Sequence, residues 1–461
     1  MNIPLDHLYH WIRGLSYEPV SIYIFSPHGS KNIADLNFFE LQDSNIITPE
    51  IICHDQEPLN YDQHQDVDVF DLWRQYAKNS EFLNNDNALK ALAALAPHYR
   101  HLNLYAMPRL IKEISIFDRY ILLHSEKNSL DVEKFSKTAE PVYYWSHGII
   151  ARDWYRFAEH DSRLKRSLKK QKTFLVYCRA WTGTREYRLK FLDLLADNNL
   201  LGHCQTSILK QDQQFDLESY VCADSTFQPS NLELLNQIAN NTQPAAASAD
   251  YCADDFVSTD ISVVLETVAA DTKIHLTEKT LRPIACGHPF MLVAGAGALE
   301  YLKSYGFKTF APWIDESYDQ EQDVVKRMNK IVAEMKQIEN LSPSQYAHTV
   351  KQLKKIACYN KKHFFSSKFF NQIQTELVEN LNASINTVKL TRGQHYLAHQ
   401  KLTRKHRSNR SLPKNTQRQL KEFMIGKVLR RLRQDPTTSL KQIIDQYPSG
   451  FFNLSNKKTT Q

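Results

Sequence analysis

The sequence predicts an α/β protein: two units of parallel sheet covered by helices and facing each other across a cleft, followed by a basic helical appendage. Three observations carry that expectation. β-rich runs alternate with helical segments twice along the chain, and such alternation argues for parallel sheets covered on both faces. A polar, charged stretch at 152–171 separates the two alternations. The charge is also split, since residues 389–461 hold 17 Lys and Arg against three acids, a net of +14, while the remainder holds 40 against 48, a net of −8. A chain of 461 residues exceeds one ordinary core. The expected division is 1–160, 161–388 and the appendage 389–461.

In the first unit, 20–25 (VSIYIF) reads as a strand running into Ser26-Pro27-His28-Gly29-Ser30, a turn-rich loop. Residues 50–53 form a short strand entering His54-Asp55-Gln56-Glu57-Pro58. The alanine-rich 88–96 reads as helix, and 118–124 (DRYILLH) and 141–145 (PVYYW) as strands. The connector 152–171 is expected to be helical. The second unit starts with strand 173–178 (TFLVYC) and helix 186–198, whose apolar face includes Leu189, Leu192, Leu194 and Leu195. Residues 212–255 are long and polar, and read as an irregular excursion. Strand 261–265, helix 277–286 ending before Gly287, strand 289–293, helix 298–305 and a short strand 307–310 follow. Helices over 324–338, 343–360 and 366–381 complete the unit. Gly295-Ala296-Gly297 lacks the third glycine of a nucleotide fingerprint and reads as a tight strand-to-helix turn.

The composition, 42% hydrophobic and 23% charged, is that of a globular protein rather than a disordered one. The longest apolar runs, 261–265 and 289–296, fall far short of the roughly 20 residues of a spanning helix, so no membrane insertion is expected. The start, MNIPLDHLYHWIRG, has no apolar region after a basic one, and no signal peptide is expected. Seven scattered cysteines without a CxxC pair argue against a disulfide framework or a zinc site and for a reducing cytoplasm.

Ligands of such sheets bind outside the carboxyl ends of the strands, and that is where the unusual residues lie. A strand ends at Glu266, and a loop leads to Thr277-Glu278-Lys279, which open a helix. Thr277 is a good N-cap, the helix end offers free N–H groups, and Lys279 adds a full charge, together a site for a diphosphate. Glu278 would accept hydrogen bonds from ribose hydroxyls. An ordinary capped helix with solvated charges fits the same residues. Val176 to Arg185 ends a strand and places Arg179 and Arg185 around a glycine-containing loop. A guanidinium fork suits diphosphate oxygens, and either arginine could neutralise a leaving diphosphate. The His54–Pro58 loop offers an imidazole and two carboxylates. A transfer to a hydroxyl group needs a base for the acceptor proton, and Asp55 or Glu57 are the candidates, with His54 third. His147, after Trp145-Ser146, also follows a strand and is a further cleft candidate. Asp66-Val67-Asp68 matches a metal-holding DxD only weakly within an acidic neighbourhood, and with Arg and Lys available for the diphosphate no metal or other cofactor is required.

The stretch 261–319 resembles the donor-binding region of fucosyltransferases that use GDP-fucose, in which a strand ends in an acid and Thr-Glu-Lys opens a helix. It is still more similar to glycosyltransferase-like proteins of tailed-phage genomes, with the succession Thr277–Thr280, Gly287–Phe290 and Gly306–Phe310. The resemblance is specific over about 60 residues. It implies two Rossmann-like domains facing a cleft, the GT-B arrangement, and a transferase that uses a nucleotide sugar with inversion. It implies that Glu278 meets a ribose and Lys279 a phosphate, and that Glu266 is the strand-end acid. Fucosyltransferases have a tyrosine where His275 stands and an asparagine where Thr267 stands.

The basic tail carries Arg404, Lys405, Arg407 and Arg410, then a helix expected over 417–433 with Arg430, Arg431 and Arg433 beside an apolar stripe. Such a cationic surface suits a phosphate backbone. A phage-like enzyme with this tail suggests a hydroxylated base in DNA as acceptor, in the host cytoplasm. A protein or cell-surface glycan is the rival acceptor. A non-catalytic nucleic-acid-binding or virion protein on a transferase fold is the rival of another class.

Overall fold

The computed structural model describes residues 2–17, 20–24, 50–59, 120–136, 139–166, 170–241 and 247–406. The expected helix at 88–96, Asp66 and Asp68, and the tail beyond 406 lie outside these residues. Helix α1 (Leu8–Gly14) precedes β1 (Ser21–Ile24), β2 (Glu50–His54) and β3 (Tyr120–His124), with α2 (Leu130–Phe135) leading to β4 (Ala139–Tyr143) and α3 (Ser146–Trp154) leaving it. The four strands pair in parallel in the order β1-β2-β3-β4. Ile22, Ile51, Cys53, Ile121, Leu123 and Val142 are buried in this sheet.

The second sheet contains β5 (Phe174–Cys178), followed by α4 (Tyr187–Asp197), and β6 (Cys204–Ile208). A two-residue hairpin, β7 (Gln211–Asp212) and β8 (Phe215–Asp216), and helices α5 (Leu232–Asn241) and α6 (Ala253–Ser258) fill the polar excursion. The sheet resumes with β9 (Ile261–Leu265), α7 (Glu278–Cys286), β10 (Phe290–Val293) and α8 (Ala298–Ser304). All pairings are parallel, in the order β10-β9-β5-β6. The chain steps one way from β5 to β6 and then returns to β5's other side for β9. This reversal opens a crevice at the carboxyl ends of β5 and β9, where an open parallel sheet takes its ligands. β9 and β10 are buried at every residue, as a sheet covered on both faces requires.

Three expectations are corrected. The connector is not one helix: beyond α3 the chain makes 3-10 turns at Arg156–Glu159 and Ser162–Lys165, the second capped by Asp161, whose carboxylate accepts from Arg163 N at 2.9 Å. Charged residues without an apolar stripe leave no face to hold a long helix against a core. Residues 307–310 are not a strand, because the Asn360 amide, rather than a neighbouring strand, satisfies both the N–H and the carbonyl of Lys308. β6, CQTSI, was not expected because three of its five residues are polar; its pairing with β5 supplies what its side chains do not.

Helix α9 (Val324–Glu339) packs against β10 and helix α10 (Pro343–Phe365) against α7, α10 opening on a capping box of Ser342 and Gln345. Helix α11 (Ser367–His406) then returns to the first unit. Phe369, Ile373, Leu377, Leu381, Ile385 and Val388 form its buried stripe, each worth about 1.5–3 kcal/mol of apolar burial. Asn380 Nδ2 donates to Tyr143 O at 2.9 Å, and Asn382 Oδ1 accepts from Tyr17 N at 2.9 Å. A Cβ on Gly148 would stand 2.5 Å from Ile373, so α3 and α11 meet where there is no side chain. Residues 367–388 therefore pack on the first unit although they follow the second in sequence, and α11 runs without a break through the expected boundary at 389. Among the described residues no helix is long and apolar enough to cross a membrane.

Candidate functional site

The end of β9 is organised by Glu266, which is fully buried. Its Oε1 accepts from Thr277 N at 3.0 Å, Thr280 N at 3.2 Å and Thr280 Oγ1 at 2.6 Å. Its Oε2 accepts from Thr277 Oγ1 at 2.7 Å and Thr267 N at 3.1 Å. Thr277 in turn caps α7 by accepting from Lys279 N. The chain's own carboxylate thus stands at this helix end, where it accepts from the N–H groups of Thr277 and Thr280 and answers the helix dipole. Two expectations are corrected here: Glu266 anchors the helix rather than facing a ligand, and the helix end is not open.

Glu278 is 4% exposed. Burial alone would raise its pKa, but Lys279, whose Nζ lies 2.7 Å from Oε1, then His147 and Arg282, hold it well below the usual carboxylate range. Lys279 Nζ also donates to Thr267 Oγ1 at 3.1 Å and Thr277 Oγ1 at 3.4 Å. From the first sheet, His147 at the start of α3 brings Nδ1 to 3.6 Å from Glu278 Oε2, while its Nε2 meets Gln56 O at 3.1 Å. The His275 ring stands edge-on to His147 with centroids 5.5 Å apart. Its Nδ1 meets Ser125 O at 3.3 Å and must be the protonated nitrogen, leaving Nε2 as an acceptor without a partner. Burial first, then the neighbouring His147, pushes its pKa down to about 4, so the ring is neutral at pH 7.

Arg185 and Glu57 face each other across the junction, Nη2 to Oε2 3.8 Å, both partly exposed. Arg179 is exposed at the end of β5, with no ion-pair partner among the described residues. The arginine loop is shaped by Asp212, which drew no attention in the sequence: Oδ2 accepts from Trp181 N, Thr182 N and Thr182 Oγ1 at 2.7–2.8 Å. Gly183, at φ 61°, makes the turn. Thr184 Oγ1 donates to Thr267 O at 3.1 Å and ties this loop to the end of β9.

Asp55 is corrected as a candidate base. It is 1% exposed, with Oδ1 accepting from Tyr9 Oη at 2.7 Å and Oδ2 from Tyr144 Oη. Burial raises its pKa to about 6 against the pull of those two hydroxyls. Both oxygens are committed inside the first unit, and only Glu57 of the two carboxylates reaches the junction. His54 is the last residue of β2.

Residues 273–276 tie the units together. Lys273 Nζ donates to Leu59 O at 2.6 Å and Asp131 Oδ2 at 2.7 Å, with Glu126 at 3.5 Å. Lys127 and Ile274 exchange two backbone hydrogen bonds at 2.9–3.0 Å, and Trp145 Nε1 donates to Leu276 O at 2.8 Å. A lone lysine in a polar loop gave no signal of this role, because its partners in the first unit lie over 140 residues away.

The structure therefore joins Glu57, Arg185, His147, His275, Glu278 and Lys279 at the carboxyl ends of two sheets, with Glu266 behind them holding Thr277 and Thr267, and sets Asp55 and Arg179 apart. Among the described residues no three His, Cys, Asp or Glu side chains are grouped to hold a metal ion. Arg404 and Lys405 fall in the last turn of α11, whereas Arg407, Arg410, Arg430, Arg431 and Arg433 lie outside the described residues. No family model, curated protein or solved structure matches this chain.

Proposed function

We propose that this chain is a glycosyltransferase of the GT-B type, with two Rossmann-like domains and a nucleotide-sugar donor. The observation that carries the reading is the convergence of Arg185, Glu278 and Lys279 from one parallel sheet with Glu57 and His147 from the other. The likeness of 277–280, 287–290 and 306–310 to phage and fucosyltransferase donor regions supports it from the sequence side.

In this reading Glu57 takes the proton of an acceptor hydroxyl as its oxygen bonds to the sugar's anomeric carbon. The bond from that carbon to the diphosphate breaks, and the leaving group keeps the electron pair. Lys279 and an arginine of the 179–185 loop stabilise the charge that develops there. Arg185 pairs with Glu57 at 3.8 Å, so an arriving diphosphate would compete for the guanidinium and release the carboxylate as a base. No metal or cofactor is called for.

A thermal-shift screen of nucleotide sugars tests the donor, since a ligand bound only by the native state raises the melting temperature. Saturating donor at about 100 times Kd should stabilise by roughly 2.7 kcal/mol. No shift with any UDP, GDP, dTDP, ADP or CMP sugar would reject the reading.

For the acceptor we propose a hydroxylated base in DNA, on the strength of the +14 segment 389–461. Truncation after Val388 keeps the buried stripe of α11 and should leave donor binding unchanged. It should lower affinity for duplex DNA and flatten its salt dependence, by about 0.9 in log–log slope for each phosphate that the shortened chain no longer neutralises. Equal slopes for the intact and truncated protein would move the acceptor to a protein or glycan.

A further inference from the structure

We propose that the solvent face of α10, together with the connector at 156–172, is an interface that holds the phosphate backbone of duplex DNA. The inference rests on the DNA acceptor reading above, and it places a second DNA contact on the body of the protein, apart from the basic tail.

One sign of charge is concentrated here. α10 carries five lysines and no acid in 23 residues, and the connector carries seven Lys and Arg against two acids. Together they hold a net of +10 within a body whose net is −8. The two elements touch: Lys361 Nζ donates to Ala158 O at 2.6 Å, and Lys170 and Lys354 reach the two oxygens of Asp260 at 3.3 and 2.8 Å. The acids nearby are already paired, Glu159 with His160, Asp161 with Arg163 and Asp254 with Arg166. Among the described residues Lys165, Lys172, Lys351, Lys355, Lys361 and Lys362 form no ion pair. Burial, and then the charge of Lys165, push the pKa of Lys361 down, so like charges crowd at the seam between the two elements.

The helix arranges these cations in a line. At 3.6 residues per turn, Lys351, Lys355 and Lys362 fall within about 40° of one another, on the side away from the buried Leu353, Ala357 and Phe364. From Lys351 to Lys362 the line is about 16 Å long, over which one strand of a duplex presents about five phosphates. Lysines four apart with no acid between them repel and weaken a solvated helix, a cost that a polyanion along the line would offset. α9, by contrast, sets Glu334 and Glu339 among its cations. An anionic membrane fits less well, because the apolar residues of α10 face the core and leave no apolar stripe to enter a bilayer surface. Asp260 and Lys172 lie just before β9 and β5, so the face stands at the amino ends of the second sheet, about 17 Å of strand from Arg185 and Lys279. It grips backbone that flanks the reacting base rather than the base itself.

The test is fluorescence anisotropy of the full chain on a labelled duplex across a salt series. Lys351→Gln, Lys355→Gln and Lys362→Gln together remove three exposed charges. They should flatten the log–log salt slope by about 0.9 for each phosphate no longer neutralised, up to about 2.7. Lys190→Gln, Lys326→Gln and Lys330→Gln together remove the same charge from α4 and α9, and should leave the slope at the parental value. A parental slope in the α10 variant would overturn the interface and leave DNA to the basic tail. An equal loss in the α4 and α9 variant would also overturn it, because overall charge would then be the cause. A parent that binds phosphatidylserine vesicles but not duplex DNA would give the face to a membrane, and one that binds neither would overturn the interface and the DNA acceptor reading together.

Discussion

Among the described residues the two sheets have the same number of strands, all parallel, yet they treat their strand-end acids in opposite ways. In the first sheet the strands follow in order, β1-β2-β3-β4, and the loop after β2 turns one carboxylate inward, Asp55, and leaves the next, Glu57, at the junction. In the second sheet the order reverses between β5 and β9, and the acid at the reversal, Glu266, is consumed in capping α7. A carboxylate at a strand end is therefore not a functional group by position alone. What decides is whether donors of its own unit reach both oxygens.

Glu57→Gln gives the sharpest test of that contrast. It should lower transfer about 10²–10⁴-fold while leaving donor affinity intact, and a parental rate would remove Glu57 as the base. Glu266→Ala comes next. It leaves two helix N–H groups and two threonine hydroxyls without an acceptor, and should cost about 3 kcal/mol or more in urea unfolding. A cost below about 1 kcal/mol would mean that the start of α7 is open to a ligand after all.

Asp55→Asn should have the smallest effect, and its signature is pH dependence rather than activity. The folded-state pKa of Asp55, about 6, is raised above its usual 3.8. Between these values the native state holds a proton that the unfolded state has released, so stability falls as pH rises from about 4 to 6 and then levels off. Unfolding curves across this range should be flatter for Asp55→Asn than for the parent, and the variant should keep transfer activity. Parallel pH profiles, or an Asp55→Asn variant as impaired in transfer as Glu57→Gln, would make Asp55 a candidate base again.

Much of the fold was legible in particular residues. FLVYC and ISVVL are continuous apolar runs of strand length, and both are central strands. Thr277 announced the start of α7 and Gly287 its left-handed end. β6 was illegible because CQTSI is held by its pairing with β5 rather than by its own side chains. The site residues were partly legible, since strand ends and Thr-Glu-Lys drew attention to Glu57, Arg185, Glu278 and Lys279. Asp212, Lys273 and Arg282 were not, because each acts on groups distant in sequence.

By itself the sequence determined most of the segments that alternate as strand and helix, since periodicity and end-capping are local properties of the chain; β6 and the irregular 307–310 were decided by their partners. It also determined that charge is divided between body and tail. Only the tertiary structure decided that α11 returns to the first unit, that Lys273 pins the second unit to Asp131, and that Glu266 and Asp55 face inward while Glu57 does not. The physical reason is that a carboxylate's role depends on which donors reach it. Those of Glu266 come from residues up to 14 positions away, and those of Asp55 from 46 and 89, distances at which a local pattern carries no information about contact.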